Sequence, residues 1–188
     1  NLIPLTPSAS LTGLSGGAIP VYRGVSLSMK KMNKIISIDN KNFQAIVEPG
    51  LINEVFQNKL KEINLFYPPD PASKGSCSLG GNFALNAGGP KAIKYGVTSN
   101  YILNLEIVLP SGDVFWTGAN TLKNSTGYNL TQLIIGSEGT LAVITKAVLK
   151  LLPLPKQTVL MLVPFFNDIH ACDAVADIMQ NSIIPSSI

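Results

Sequence analysis

The sequence predicts an α+β domain built on a largely antiparallel sheet. Short strand-like runs occur in pairs, each pair joined by turn residues. Short helical patterns are scattered between the pairs, and a regular βαβαβ rhythm is missing, which disfavours a doubly wound parallel fold.

The elements follow in chain order. Ile3 to Thr6 reads as the end of a strand, and a Gly/Ser/Thr-rich loop runs from Pro7 to Gly17. Val25 to Ser28 alternates as a short strand. Ile35 to Asp39 and Gln44 to Glu48 make a hairpin across Asn40-Lys41-Asn42, ended by Pro49-Gly50. Asn53 is placed to cap a helix whose apolar face carries Val55, Phe56, Leu60 and Ile63. Tyr67 to Cys77 holds three prolines and a glycine and is irregular. Ser78 caps a short helix through Leu85. Leu103 to Leu109 and Val114 to Thr117 form a second hairpin across Pro110-Ser111-Gly112-Asp113. Asn129 to Leu133 suits a helical turn, Leu141 to Leu152 a long strand or strand pair, Val159 to Val163 a further strand, and Ile169 to Met179 a helix. Pro153 and Pro155 mark a domain boundary.

Composition narrows the function. The chain has 188 residues, of which 46% are hydrophobic and only 13% charged. That is enough apolar residue for a real core, with so few charges that part of the surface is expected to lie under a ligand, another domain or a partner. Fourteen basic and 11 acidic residues give +3, with no basic run, which argues against nucleic acid. A single histidine cannot build a metal cluster, and no apolar run is long enough to span a bilayer. Cys77 and Cys172 lie in no metal spacing and read as reduced thiols of a cytoplasmic protein, with one disulfide between them left open. The start at Asn1 and the stop after Ile183-Ile184-Pro185 lead to the expectation of a piece of a longer protein.

Four small-residue clusters carry the chemistry: Thr12 to Gly17, Ser78 to Asn82, Asn86 to Gly89, and Gly136 to Thr140. Each alone is an ordinary turn. Together, in a chain poor in charge, they suit a nest of backbone N–H groups around a pyrophosphate. Free N–H groups opening the helix after Ser78 are expected to add to it. Neither GxxxxGK[ST] nor GxGxxG is present. Gly13-Leu14-Ser15-Gly16-Gly17 matches G-x-S-x-G, so a serine hydrolase with Ser15 as nucleophile and His170 as base is a minor alternative, though Ala18-Ile19-Pro20-Val21 does not suit the required helix.

The motifs Gly13-Leu14-Ser15-Gly16-Gly17-Ala18, Val47-Glu48-Pro49-Gly50, Pro68-Pro69-Asp70-Pro71, Gly80-Gly81-Asn82, Asn86-Ala87-Gly88-Gly89-Pro90, Lys94-Tyr95-Gly96, Gly127-Tyr128 and Gly136-Ser137-Glu138-Gly139-Thr140-Leu141 fall in order. In this the chain resembles the FAD-binding domain of the vanillyl-alcohol-oxidase/p-cresol-methylhydroxylase superfamily. Within it, the flavoprotein subunit of glycolate oxidase is most alike, with D-lactate and D-2-hydroxyglutarate dehydrogenases near it. The resemblance implies a two-subdomain fold, with the first subdomain at about 1–100 and the second at about 101–153. It also implies that the opening βαβ unit is largely missing and that 154–188 begins a truncated substrate-binding cap. The implied activity is FAD-dependent oxidation of a small 2-hydroxy acid, glycolate or D-lactate in type, to the 2-oxo acid. Electrons would then pass to another acceptor or a partner subunit. The setting is cytoplasmic or peripheral to a membrane. A non-catalytic remnant of the fold that binds FAD weakly or not at all is the alternative.

Carried over by position, the pyrophosphate loop would be Pro7, Ser8, Ala9, Ser10, Leu11, Thr12, Ser15 and Gly16. Pro69, Asp70 and Gly75 would approach the flavin. Ser78, Leu79, Gly80, Gly81 and Asn82 would contact pyrophosphate and ring, with Asn86, Tyr95 and Gly96 lining the same cleft. Glu138, Gly139 and Ile144 would form the far wall. The attachment of FAD would be non-covalent, since no histidine or cysteine stands where a covalent link is expected. No catalytic residue is named, because the general base and carboxylate-binding groups belong to the cap. One departure stands out: the family usually reads Pro-Arg-Gly-x-Gly-Thr where this chain has Pro7-Ser8-Ala9-Ser10-Leu11-Thr12, so Ser8, Ala9 and Leu11 replace an arginine and two glycines.

Overall fold

The computed structural model describes residues 3–188. Strands β1 (Leu5–Ser8) and β2 (Val25–Ser28) pair in parallel, so the intervening loop leaves beside Ser28 and returns beside Leu5, crossing the length of the pair. The following strands build one antiparallel sheet. β3 (Ile35–Asp39) and β4 (Gln44–Val47) form the first hairpin, and β6 (Ile102–Val108) and β7 (Val114–Trp116) the second. β8 (Val143–Lys150) inserts between the hairpins, giving the order β3-β4-β8-β6-β7. The sheet therefore joins strands from both sides of residue 100. The short β5 (Leu65–Phe66) pairs with β9 (Leu152–Pro153), so the sheet-building part of the chain ends at the proline expected to mark a boundary.

Burial follows the strand period where one face is covered. Ala45 and Val47 of β4 are buried while Gln44 and Ile46 are not. In the central strand β8, Ala147, Val148 and Leu149 are all buried, so both faces of the sheet are covered there. Two helices close the core. α1 (Asn53–Lys61) contributes Phe56 and Leu60, and α2 (Leu79–Leu85) contributes Leu79 and Phe83. Tyr67 joins them, its ring 5.4 Å from Phe56 and 5.9 Å from Tyr101 in tilted and edge-on contacts. The short α3 (Ala92–Tyr95) and α4 (Leu130–Ile134) lie in the connections, and α5 (Asp168–Gln180) follows the sheet.

Two expectations are corrected. Asn53 does not cap α1. Ile52 takes that position, and Asn53 is the first helical residue, fully buried. Its Nδ2 donates to the Pro69 carbonyl at 3.2 Å and its Oδ1 accepts from Asn82 Nδ2 at 3.4 Å, so it ties α1 to α2 and to the irregular segment between them. Val159 to Val163 form no strand: β-propensity becomes a strand only beside a partner, and these side chains stand exposed with no ladder among the described residues. Over Leu141–Leu152, expected to be a long strand or a strand pair, the structure forms two strands, β8 and β9, separated at Leu151, whose N–H donates to the Phe43 carbonyl. The cysteines are free, Cys77 buried and Cys172 exposed.

Candidate functional site

The loop after β1 is the first wall of a groove of about 760 Å³. Its ends are anchored by the parallel pair and by the Met29 N–H, which donates to the Ser8 carbonyl at 2.8 Å. Between these anchors, from Ser10 through Ala18, no backbone N–H donates to an acceptor among the described residues. A run of unsatisfied donors is tolerated only where water or a ligand takes them. Leu11 has φ 61° and Gly16 φ 82°. Leu11 therefore adopts the left-handed conformation that a glycine would take without strain, while Ala9 does not. Leu11 thus carries backbone strain at a position where a glycine would carry none.

The second wall is the start of α2. Ser78 caps the helix as expected, its Oγ accepting from the Gly81 N–H at 3.4 Å. The expectation that this helix offers free N–H groups is corrected. The Leu79 N–H donates to Leu51, that of Gly80 to Pro49 and that of Asn82 to Ser78, all to backbone carbonyls. The amides that open α2 are used by the protein, and the unpartnered ones lie in the first loop. Gly80 is required by packing, since a Cβ there would fall 2.6 Å from Pro49 Cβ; at Gly81 a Cβ would meet only Ser78 Oγ, at 3.5 Å.

The third wall is the turn from Gly136 to Thr140 with the start of β8. Two backbone bonds of 3.0 Å, Gly136 N–H to Phe83 and Glu138 N–H to Ala84, stitch it to α2. Glu138 has φ 53°, a left-handed non-glycine residue between Gly136 and Gly139, both also left-handed. Its Oε2 accepts from Ser15 Oγ at 3.0 Å, linking the third wall to the first.

Of the residues expected at the site, Pro7 through Thr12, Ser15 and Gly16 lie on the first wall, Ser78, Gly80, Gly81 and Asn82 on the second, and Glu138, Gly139 and Ile144 on the third. The others do not line the groove. Leu79 is buried in the core. Pro69 spends its carbonyl on Asn53 and Gln57, and Gly75 faces Glu54. Asn86 is the left-handed C-cap of α2, its Oδ1 accepting from the Ser99 N–H at 2.9 Å. Tyr95 packs edge-on against Phe66 at 5.5 Å, and Gly96 backs onto Asn100. Asp70 is buried between Lys91, 3.0 Å from Oδ2, and Lys74, whose Nζ stands 3.2 Å from Oδ1 in ion-pair rather than hydrogen-bond geometry. Burial alone would raise the Asp70 carboxyl; the Lys91 hydrogen bond and charge, with Lys74 behind it, outweigh burial and hold it below the ordinary carboxylate value. Met29, Pro49, Pro71 and Ser73 line the groove without having been assigned to the site, although Pro49 and Pro71 stand in motifs quoted from the sequence. Pro49 carried a signal in its Val-Glu-Pro-Gly motif; Met29 carried none.

The hydrolase geometry does not form. Ser15 has a carboxylate, not an imidazole, as its side-chain partner, turns rather than a helix follow it, and His170 is an exposed residue of α5. The groove instead suits a long anion. Its lining offers the free amides and the hydroxyls of Ser8, Ser10, Thr12 and Ser15, set against apolar side chains such as Leu85 and Ile144.

An α+β domain with small-residue loops and unpartnered amides around a groove of this size suits a dinucleotide. Residues 1–118 match the FAD binding domain family FAD_binding_4; the chain belongs to that family, with FAD as its cofactor. It is 41% identical over 186 residues to glycolate oxidase subunit GlcD of Bacillus subtilis, covering 99% of this chain and 40% of that protein. It is 42% identical over 189 residues to a D-lactate dehydrogenase of Anaerostipes hadrus (100% and 39%), and 38% over 167 residues to a D-2-hydroxyglutarate dehydrogenase of Xanthomonas citri (88% and 35%). A solved structure of alkyldihydroxyacetonephosphate synthase superposes with a TM-score of 0.83 at 27% identity, over 97% of this chain and 33% of that one. The chain thus spans about two fifths of the length of these relatives. No described helix is long and apolar enough to cross a membrane.

Proposed function

We propose that this chain is the flavin-holding part of an FAD-dependent oxidoreductase that converts a small 2-hydroxy acid, of glycolate or D-lactate type, to the 2-oxo acid. The observation that carries the reading is the groove, with its continuous run of unpartnered amides from Ser10 to Ala18. The names of the relatives supply the substrate class.

When bound, FAD supplies the ring that accepts two electrons from the substrate. The chain's own work is binding and exclusion of water. The amides of the first wall hold the pyrophosphate, and Ser10 and Thr12 add hydroxyl donors where an arginine is lacking. Leu85, Ala142 and Ile144 give the groove a dry side. Attachment is non-covalent: the lining contains neither histidine nor cysteine, and Cys77 lies buried outside it. The groups that bind the substrate carboxylate and take its hydroxyl proton belong to a cap after Pro155. An electron acceptor or partner subunit takes the electrons onward, in the cytoplasm or at a membrane surface.

The test is the absorbance spectrum of the full-length protein that carries this chain. A flavin band released by acid, and bleached anaerobically by glycolate, D-lactate or D-2-hydroxyglutarate, is expected. Protein that stays colourless with excess FAD, or a bound flavin that none of these acids reduces, overturns the reading.

A further inference from the structure

Glu138 is the only charged side chain among the described residues that line the groove. A carboxylate beside a site for a pyrophosphate works against binding through its charge, so charge is not what suits it to this position. Its contacts supply another reason. Between Ser10 and Ser15 neither an N–H nor a carbonyl of the first loop has a backbone partner among the described residues. The side-chain hydrogen bond that this loop makes runs from Ser15 Oγ to Glu138 Oε2, at 3.0 Å. Glu138 is itself fixed: its N–H donates to Ala84, and the Gly136 N–H to Phe83, both on α2. The main chain passes close to the same carboxylate, since a Cβ at Gly17 would fall 2.5 Å from Oε2. At the start of the loop, a Cβ at Gly139 would fall 2.6 Å from Pro7 Cγ. The third wall therefore meets the first on both sides of the run of free amides, and the groove of about 760 Å³ stands open with the hydrogen bond made.

We infer that Glu138 is a positioning residue for the cofactor: through the Ser15 hydroxyl it holds the first loop in the shape in which its free amides face the groove. The inference rests on the flavin reading above and adds the residue that orders its anion site. A groove without a cation binds phosphate through amides and hydroxyls, and amides do so only while they point together. Ordering an untied loop at the moment of binding subtracts from affinity, and a tie formed beforehand removes part of that cost. The Ser15 proton goes to Glu138, so Ser15 acts on the loop and not as a donor to the ligand. The bond joins exposed groups, so its effect on affinity is modest, on the order of fivefold. A neutral glutamine can accept the same proton through its amide oxygen and brings no repulsion.

The test is FAD affinity, read by quenching of flavin fluorescence rather than by turnover, on the full-length protein that carries this chain after its cofactor is removed. Glu138→Ala and Glu138→Gln both lack the charge, and only the second can accept from Ser15. Glu138→Gln should bind FAD as tightly as wild type or more tightly, and Glu138→Ala about fivefold more weakly than Glu138→Gln. Ser15→Ala should weaken binding about fivefold in the wild-type background and hardly at all beside Glu138→Ala, because the two side chains act as one. Equal affinities of the two Glu138 variants would overturn the inference. A Glu138→Gln variant weaker than wild type would overturn it too, by making the carboxylate a direct contact for the cofactor. So would a Ser15→Ala loss that persists undiminished beside Glu138→Ala, which would make Ser15 a direct contact instead. Absence of FAD binding by the wild-type protein would overturn the flavin reading and the positioning role together, whereas normal wild-type binding with any of these variant results overturns the positioning role alone.

Discussion

The left-handed conformation of Leu11 yields a prediction whose sign is decided by geometry. At φ 61° a residue with a Cβ bears about 1–2 kcal/mol of strain that glycine does not. Glycine in turn adds unfolded-chain entropy, about 0.5–1 kcal/mol against alanine. Comparing Leu11→Gly directly with Leu11→Ala cancels the side chain, which is 63% exposed and contributes little in any case. The glycine variant should therefore be more stable than the alanine variant, by about 0.75 kcal/mol at the midpoints of those two ranges and by about 1.5 kcal/mol at most. Urea unfolding of both variants, compared at equal m-value, measures it. At any exposed loop position with negative φ the order reverses. An alanine variant clearly more stable than the glycine variant would show that the loop does not take the left-handed path at Leu11.

Three further outcomes are expected. Gly81→Val should fold with near-wild-type stability, because a Cβ there meets only Ser78 Oγ at 3.5 Å, yet lose FAD affinity more than tenfold by standing in the groove; unchanged affinity in a fluorescence titration would place the cofactor elsewhere. Asn53→Ala should cost about 1–3 kcal/mol in urea unfolding, the range for breaking buried hydrogen bonds and leaving their partners unpaired, and a loss under about 0.5 kcal/mol would show that water replaces the side chain. Asp70 has a lowered carboxyl pKa in the fold, so its ion pairs contribute stability that is full above the ordinary value of 3.8 and is lost as pH falls through the lower folded value. Asp70→Asn should then destabilise at pH 7 and differ progressively less from wild type as acid is added, whereas a constant gap between the two would mean that the carboxylate charge is not what the site uses.

The sequence disclosed what is local. The hairpin of β3 and β4 and the Ser78 cap of α2 are written in adjacent residues, and the small-residue clusters of the first and third walls marked two sides of the groove. What was illegible depends on residues far apart in the chain. Nothing near Asn53 announces that Pro69 and Asn82 will claim its side chain, so it reads as a helix cap. Asp70 sits in a motif that points to the cofactor, but Lys74 and Lys91 fold over it. The amides at the start of α2 look free until Pro49 and Leu51 arrive from the preceding turn. Val159 to Val163 shows the converse: strong local preference without a neighbour yields no strand.

The place of β8 in the sheet has a consequence for how the protein is made. β4 meets its second neighbour only when Val47 pairs with Ala147, and β6 likewise waits for β8. During synthesis both hairpins emerge first, each with an open edge and an uncovered apolar face, and neither can be sealed until the ribosome has released residue 150. Such long-range closure is slow relative to local pairing. The nascent chain therefore passes through a stage in which its first groove wall exists and its third does not. Chaperone demand should be greatest during that interval and should fall sharply once β8 docks, which ribosome-stalled chains with Lys150 held inside or extended beyond the exit tunnel would reveal by their protease sensitivity.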